Sequence, residues 1–128
     1  MKKITILWWT SGFWLWLLKY LTTYFKNLDI IITWTDSIKG EIISKKYNVR
    51  FIWDNIEAVR NREVVIYSLP ISLTEKIIKE TWKFIDKKSI VLDVTSIKKI
   101  SVAAFKKYLS KEILVIPTHP MFWPYVES

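Results

Sequence analysis

The residues best suited to chemistry lie near the C-terminal end of the chain. His119 is the only histidine and follows the last predicted strand, while Ser96 follows the strand before it. A lone histidine is more often structural, but the carboxyl ends of parallel strands form the edge at which open α/β sheets bind ligands. An imidazole titrates near neutral pH and can act there as a general base. His119 is therefore a candidate catalytic residue. Ser96 is a second candidate, or simply the N-cap of the next helix.

The segment after the first predicted strand is where a dinucleotide-binding fold would hold a pyrophosphate. Such folds need glycines there for a tight turn, for close approach of the backbone to the phosphates, and for helix packing. The chain instead reads Trp8-Trp9-Thr10-Ser11-Gly12-Phe13-Trp14. A strand before it and a helix after it are correctly placed, but the G-x-G-x-x-G pattern is not matched.

Three other residues lie at predicted strand ends on the same edge. Asp36 stands 22 residues after Trp14, near the spacing at which an acid binds a ribose 2′-hydroxyl, and it could equally cap the next helix. Ser68 and Pro70 end another predicted strand, where Pro70 could serve merely as the terminator.

Strand-like and helix-like segments alternate throughout and must position these residues. The predicted strands are Lys3–Leu7, Asp29–Thr33, Val49–Ile52, Glu63–Leu69, Ser89–Asp93 and Glu112–Ile116. The predicted helices run from Gly12 to Lys26, from an Asp36 cap to Lys46, from Asp54 or Asn55 to Val59, from a Ser72–Glu75 capping box to Phe84, and from Ser96 to Tyr108. This alternation predicts one α/β domain over residues 1–128, Rossmann-like and doubly wound, with a mainly parallel sheet and flanking helices.

Composition narrows the class of partner. The formal net charge is +8, but the lysines are scattered in ones and twos, which favours solvated helix faces over a nucleic-acid surface. The milder functional alternative is attraction of cofactor phosphates or an acidic substrate. The absence of cysteine fits a reducing compartment, so we expect a cytoplasmic protein without a metal site.

The apolar stretch Ile4–Leu18 has a rival interpretation as a signal or anchor segment, because Lys2 and Lys3 precede it. Polar residues interrupt this stretch, and Lys19 closes it short of the roughly 20 residues that a membrane span needs. We therefore expect no membrane insertion.

Two later segments carry a family resemblance. Val91-Leu92-Asp93-Val94-Thr95-Ser96-Ile97-Lys98 and Thr118-His119-Pro120-Met121-Phe122-Trp123-Pro124 resemble the D-V-x-S-x-K and H-P-M-F-G-P signatures of prephenate dehydrogenases. Segments 54–59 and 64–71 are also similar to that family. The resemblance implies NAD(P)-dependent oxidative decarboxylation of prephenate or arogenate, a step of tyrosine biosynthesis.

The resemblance also implies roles for individual residues. His119 would be the base that polarises the substrate's ring hydroxyl, and Ser96 would contact that hydroxyl. The implied cofactor-binding residues are Trp8, Trp9, Thr10, Ser11, Gly12, Phe13, Trp14, Asp36, Ser68 and Pro70. NAD is slightly favoured over NADP because Thr35 stands where an NADP-favouring Arg is usual, although Lys39 could still meet a 2′-phosphate.

Tryptophan stands at five positions where this family has glycine: 8, 9, 14, 34 and 123. Our hypothesis is that UGA codons, which some bacterial lineages read as glycine, have been translated as Trp. The 20 Ile, 17 Lys and only 3 Arg fit an A/T-rich gene, in which UGA is frequent. Trp16 is expected to be genuine, while Trp53 and Trp82 stay unassigned.

The enzymes of this family carry a second, helical domain that dimerises, and no such domain follows here, so we expect a fragment that binds cofactor without completing catalysis. One alternative is a non-catalytic domain whose exposed Trp8, Trp9 and Trp14 bind a partner or membrane surface. Another is a different two-domain NAD(P)-dependent reductase on the same fold.

Overall fold

Strands and helices alternate along the chain in the computed structural model, which describes residues 2–8, 12–94 and 98–117. The strands are β1 (Lys2–Trp8), β2 (Leu28–Thr33), β3 (Arg50–Phe51), β4 (Val64–Ser68), β5 (Ile90–Asp93) and β6 (Leu114–Pro117). The helices are α1 (Gly12–Tyr24), α2 (Ser37–Tyr47), α3 (Asn55–Val59), α4 (Ile71–Thr81) and α5 (Lys98–Tyr108), and a 3₁₀ turn, Trp82–Phe84, follows α4. The predicted sequence of elements is confirmed.

The strands form a single parallel sheet in the order β3-β2-β1-β4-β5-β6. The order runs outward from β1 in one direction and outward from β4 in the other. The sheet therefore has a topological switch point between β1 and β4, as a doubly wound fold requires. The predicted fold class is confirmed.

Apolar side chains cover both faces of the sheet, which explains why the central strands read as continuous hydrophobic runs. On one face, α1 and α2 pack against Ile6, Ile30, Ile32 and Ile66. On the other, α3, α4 and α5 pack against alternate strand residues that include Leu7, Val65, Tyr67 and Val91. The stretch Ile4–Leu18, considered above as an anchor, is divided between β1 and α1. No helix in the described ranges has the length and apolarity needed to cross a membrane.

The predicted start of α4 is wrong. The N-cap is Pro70, which makes no side-chain cap hydrogen bond, and Ser72 lies inside the helix. The physical reason is the short turn after β4. Helical bonding begins at once, because Leu73 N and Thr74 Oγ1 both donate to the Pro70 carbonyl, at 2.9 and 3.0 Å. Proline can precede the first turn without loss, because the first helical N–H groups lack intrahelical partners.

Gly40 has a packing role in α2. A Cβ at this position would lie 2.3 Å from Cε1 of Phe51, so the helix lies directly on the ring of β3. Only a residue without a side chain allows this approach, and the short strand β3 is thereby held at the border of the sheet.

Candidate functional site

The carboxyl edge of the sheet gathers the ends of the strands that carry the predicted site residues. Trp8 pairs with Ser68, and Leu7 with Thr33, so the strands β1, β2 and β4 end side by side at this edge. Asp93 pairs with both Tyr67 and Pro117, which brings the ends of β5 and β6 to the same edge. His119, Ser96, Trp9, Thr10 and Ser11 lie outside the described residues.

The switch point lies at this edge, between Trp8 of β1 and Ser68 of β4. Helix α1 begins at Gly12, four positions after β1 ends at this edge. The backbone of Trp8 lies in β1 and that of residues 12–14 lies in α1. The structure does not describe the side chains of these residues. Such a crevice is where open α/β sheets bind ligands, and helix N-termini there attract anions.

Asp36 caps α2 in the loop that follows β2. Its backbone is extended, with φ −94° and ψ 102°, and its carboxylate accepts a hydrogen bond from Lys39 N at 3.1 Å. The capping role predicted for Asp36 is confirmed. Only Oδ1 takes part in that bond, and the half-buried side chain lies beside the strand end next to the switch point.

A narrow pocket opens beside Asp36, between the loops after β2 and β3 and the start of α4. It holds about 70 Å³ and is lined by Thr33, Trp34, Thr35, Trp53, Asn55, Leu69, Pro70, Leu73 and Ile77. Trp34 is half-buried, while Trp53 is 76% exposed. Pockets for cofactor-sized ligands usually hold about 300–1,000 Å³, so this pocket, with Trp34 in its wall, is small by comparison.

Two buried hydrogen bonds tie strand ends at this edge to helices, and neither was predicted. The Ser101 hydroxyl on α5 donates to Asp93 Oδ2 at 2.6 Å, and both residues are fully buried. The Tyr67 hydroxyl lies 2.6 Å from Thr81 Oγ1 on α4, also fully buried. Burial raises the pKa of the Tyr67 phenol far above its ordinary value, although the bond to Thr81 opposes that shift. The Tyr67 ring also meets Phe105 of α5 edge to face, with 5.2 Å between centroids.

The opposite, amino edge of the sheet holds a different polar cluster. Arg62 is 4% exposed and donates to Thr5 Oγ1 at 3.0 Å, to Asp29 Oδ2 at 2.9 Å and to the carbonyl of Ile4 at 2.9 Å. A further bond joins it to the Asp29 carbonyl. Arg50 binds both carboxylate oxygens of Asp29 at 2.9 Å.

Opposing effects act on the pKa of Asp29. Burial raises the pKa, but hydrogen bonds and charges from Arg62 and Arg50 together outweigh burial and hold it below its ordinary range. The cluster pairs its charged groups internally and joins β1 and β2 to the residues just before β4. This is a structural role.

A cavity of about 570 Å³ lies between α5 and the edge strand β6, and its lining extends to Pro117 at the end of β6. Its lining includes Phe105, Leu109 and Val115 together with Lys106 and Lys111. Among the described residues, no group of three or more His, Asp or Glu side chains could hold a metal ion.

A parallel sheet with a switch point, a helix starting at the crevice and an acid after β2 together define the class of Rossmann-like dinucleotide-binding domains. The sequence model described as "Prephenate dehydrogenase, nucleotide-binding domain" matches residues 22–126. The chain therefore belongs to this family of oxidoreductase domains.

One curated relative extends the match through the N-terminal region. It is a "Probable arogenate/prephenate dehydrogenase" of Methanocaldococcus jannaschii, 37% identical over 125 residues. The alignment covers 98% of this chain and 28% of the relative, so the chain spans less than a third of that protein's length.

Solved structures agree with the fold. Prephenate dehydrogenase from A. aeolicus, in complex with hydroxyphenyl propionate and NAD+, superposes with a TM-score of 0.76 at 17% identity, covering 94% of this chain and 42% of that one. Arogenate dehydrogenase from Synechocystis gives 0.73 at 17% identity, covering 94% and 41%. A pyrroline-5-carboxylate reductase from Coxiella burnetii gives 0.74 at 15% identity, covering 91% and 42%. Because these values are so close, the fold alone does not distinguish the substrates.

Proposed function

We propose that the chain is the cofactor-binding part of an NAD(P)-dependent dehydrogenase that oxidatively decarboxylates prephenate or arogenate, with NAD slightly preferred. The observation that carries the proposal is the 37% identity over 98% of the chain to a relative whose printed name is an arogenate/prephenate dehydrogenase. The whole enzyme would be a cytoplasmic homodimer that joins through a helical domain outside residues 1–128.

The carboxyl edge suggests how each residue would act. The start of α1 would hold the pyrophosphate, the free oxygen of Asp36 would accept from a ribose hydroxyl, and Ser68 with Pro70 would border the nicotinamide ribose. Bound NAD(P) would supply the hydride acceptor. His119 would withdraw the proton of the substrate's ring hydroxyl while Ser96 held that hydroxyl in place, because a neutral imidazole suits this exchange near pH 7.

We also propose that Trp8, Trp9, Trp14, Trp34 and Trp123 stand where the organism makes glycine. The family match begins at residue 22, beyond the first three of these positions. Trp34 narrows the pocket beside Asp36, where the base attached to that ribose would lie. The described non-glycine residues with positive φ are Asn48 and Asn61, so at positions 8 and 34 glycine would serve close approach rather than an unusual φ.

The remaining tryptophans separate by their packing. Trp16 packs against the core of one sheet face and stacks on Tyr20 with 5.6 Å between ring centroids, and Trp82 packs against the core of the other face. Trp53 is 76% exposed at the mouth of the pocket. Packing therefore supports Trp16 and Trp82 as genuine, whereas Trp53 stays unassigned. UGG codons at the five family positions would refute the decoding hypothesis.

A titration with NAD tests whether the tryptophans block the cofactor-binding site. The chain as written should show no measurable binding, and the variant with Gly at positions 8, 9, 14, 34 and 123 should bind, because the pyrophosphate turn and the pocket are then open. A matched variant with Gly at positions 8, 9, 14 and 123 but Ala at position 34 should bind NAD more weakly than the all-glycine variant, because a Cβ at position 34 hinders the close approach for which glycine is proposed there. Equal binding by the chain as written and the glycine variant would refute the claim.

Product analysis tests the substrate. The full-length enzyme is offered prephenate, arogenate and a pyrroline-5-carboxylate control with NAD or NADP, and we expect release of CO₂ from one or both of the first two. Turnover of the control alone would favour the reductase alternative. Binding of the chain to anionic liposomes, without any nucleotide binding by the glycine variant, would favour the non-catalytic alternative.

A further inference from the structure

The carboxylate of Asp93 is buried at the one strand end that leads into Ser96. Asp93 is the last residue of β5, and neither it nor Ser101 is exposed to solvent. Removing a carboxylate from water is costly unless hydrogen bonds replace the lost hydration. The 2.6 Å distance from Ser101 Oγ to Asp93 Oδ2 is that of a short hydroxyl hydrogen bond.

The position of the Ser101–Asp93 hydrogen bond indicates which segment of the chain it affects. Asp93 lies on the strand side and Ser101 on the helix side of residues 94–97, and the hydrogen bond closes that connection. The strand side is fixed further by Val94 N, which donates to the Tyr67 carbonyl at 3.1 Å. The helix side is fixed by Ala104 and Phe105, which are buried against the sheet. Both anchors of the connection therefore depend on contacts between β5, α5 and β4.

We propose that Asp93 and Ser101 are positioning residues that hold the connection between β5 and α5, and thereby place the Ser96 hydroxyl for the reaction. The inference rests on the proposed function, because Ser96 is assigned to the substrate hydroxyl there. Asp93 would touch neither substrate nor cofactor and would act through Ser96 alone.

The second buried hydrogen bond between a strand and a helix, Tyr67–Thr81, provides a matched control. Tyr67 and Thr81 form an equally short, fully buried bond on the same face of the sheet, but this bond joins β4 to α4. Tyr67→Phe removes that bond and leaves Thr81 Oγ1 its own acceptor, the Ile77 carbonyl at 2.7 Å. Ser101→Ala and Tyr67→Phe should therefore lower the unfolding midpoint by similar amounts.

Kinetics of the full-length enzyme distinguish positioning from general destabilisation. We expect Ser101→Ala to lower kcat by about 10- to 100-fold, the loss that a misplaced catalytic group causes. The KM for the cofactor should stay within about twofold in Ser101→Ala, and Tyr67→Phe should keep its kcat, because neither variant alters the groups on the nucleotide. Asp93→Asn, which retains an acceptor oxygen for Ser101, should lose less than Ser101→Ala.

A double-mutant cycle gives the decisive test. If Ser101 acts through Ser96, Ser101→Ala should change kcat little once Ser96→Ala is present. A full loss in that background, or an equal loss of kcat in Tyr67→Phe, would overturn the positioning role. So would an unchanged kcat in Ser101→Ala. A parent enzyme that oxidises neither prephenate nor arogenate would instead overturn the proposed function, and this inference with it.

Discussion

The two edges of the sheet are built from similar polar residues but are used differently. At the amino edge, Arg62, Asp29 and Arg50 bind one another and the strand carbonyls, so the polar groups of the cluster are satisfied within the protein. At the carboxyl edge, Asp36 caps α2 through one oxygen, and the strand order reverses between β1 and β4. The cluster at the amino edge is held together by contacts between strands, whereas at the carboxyl edge the strand order reverses, and this is where open α/β sheets bind ligands.

Removing Arg62 should give the largest effect on stability. We expect Arg62→Met to lower the free energy of unfolding by about 1–3 kcal/mol, because the carbonyls of Ile4 and Asp29 lose a buried hydrogen-bond donor. Arg50→Met removes the same charge from the same carboxylate, but the Arg50 side chain is 58% exposed. It should cost only about 0–1 kcal/mol. Urea denaturation measures both, and equal losses would contradict the distinction between buried and exposed partners.

A substitution at Asp36, on the carboxyl edge, should weaken cofactor binding and leave the stability of the fold unchanged. Ser caps helices as well as Asp does, so Asp36→Ser should leave the unfolding free energy unchanged within a few tenths of a kcal/mol. Its shorter side chain cannot reach a ribose hydroxyl. In the glycine-substituted chain we therefore expect about 1.5–3 kcal/mol of NAD binding energy to be lost, the value of a hydrogen bond to a charged group. Isothermal titration calorimetry checks this, and unchanged affinity would leave Asp36 with its capping role alone.

We expect acidic pH to reduce the stability that the polar cluster of the amino edge contributes. At neutral pH this contribution should be unchanged. The pKa of Asp29 is lowered in the folded state, so its contribution to stability is complete above the ordinary aspartate pKa of about 3.9. It is lost as the pH falls through the lower, folded-state pKa, where the folded protein must take up the proton. Denaturation curves between neutral pH and acid should show a steeper loss for the native chain than for Asp29→Asn. Parallel curves would contradict this linkage.

Much of the fold could be predicted because each element has a local cause. Three consecutive isoleucines in β2 indicate a strand buried on both faces, and Asp36 before α2 has the properties of an N-cap. The observed bounds mostly lie within one or two residues of those predicted. The start of α4 was predicted wrongly, because Ser72 and Glu75 form a good local capping pattern while the turn at Pro70 begins the helix earlier.

The candidate site was predictable only in part. The positions of Ser68, Pro70 and Asp36 at the carboxyl edge could be predicted because strand ends and spacing mark them. Ser101 was missed because nothing near a serine inside a helix signals a carboxylate eight residues earlier. Trp34 was noticed as a departure from the family, but its place in the pocket wall depends on α4 and on the loop after β3.

The amino-acid sequence by itself determined the order and type of the elements, the family and the strand ends that carry the proposed chemistry, because periodicity, capping and motifs act over a few residues. The tertiary structure alone decided that Arg62 meets Thr5 and Asp29, which lie 57 and 33 positions away. It also decided that Asp93 meets Ser101 across the connection that carries Ser96. These contacts depend on the order of strands in the sheet and on the face that each helix covers, and no local pattern encodes that arrangement.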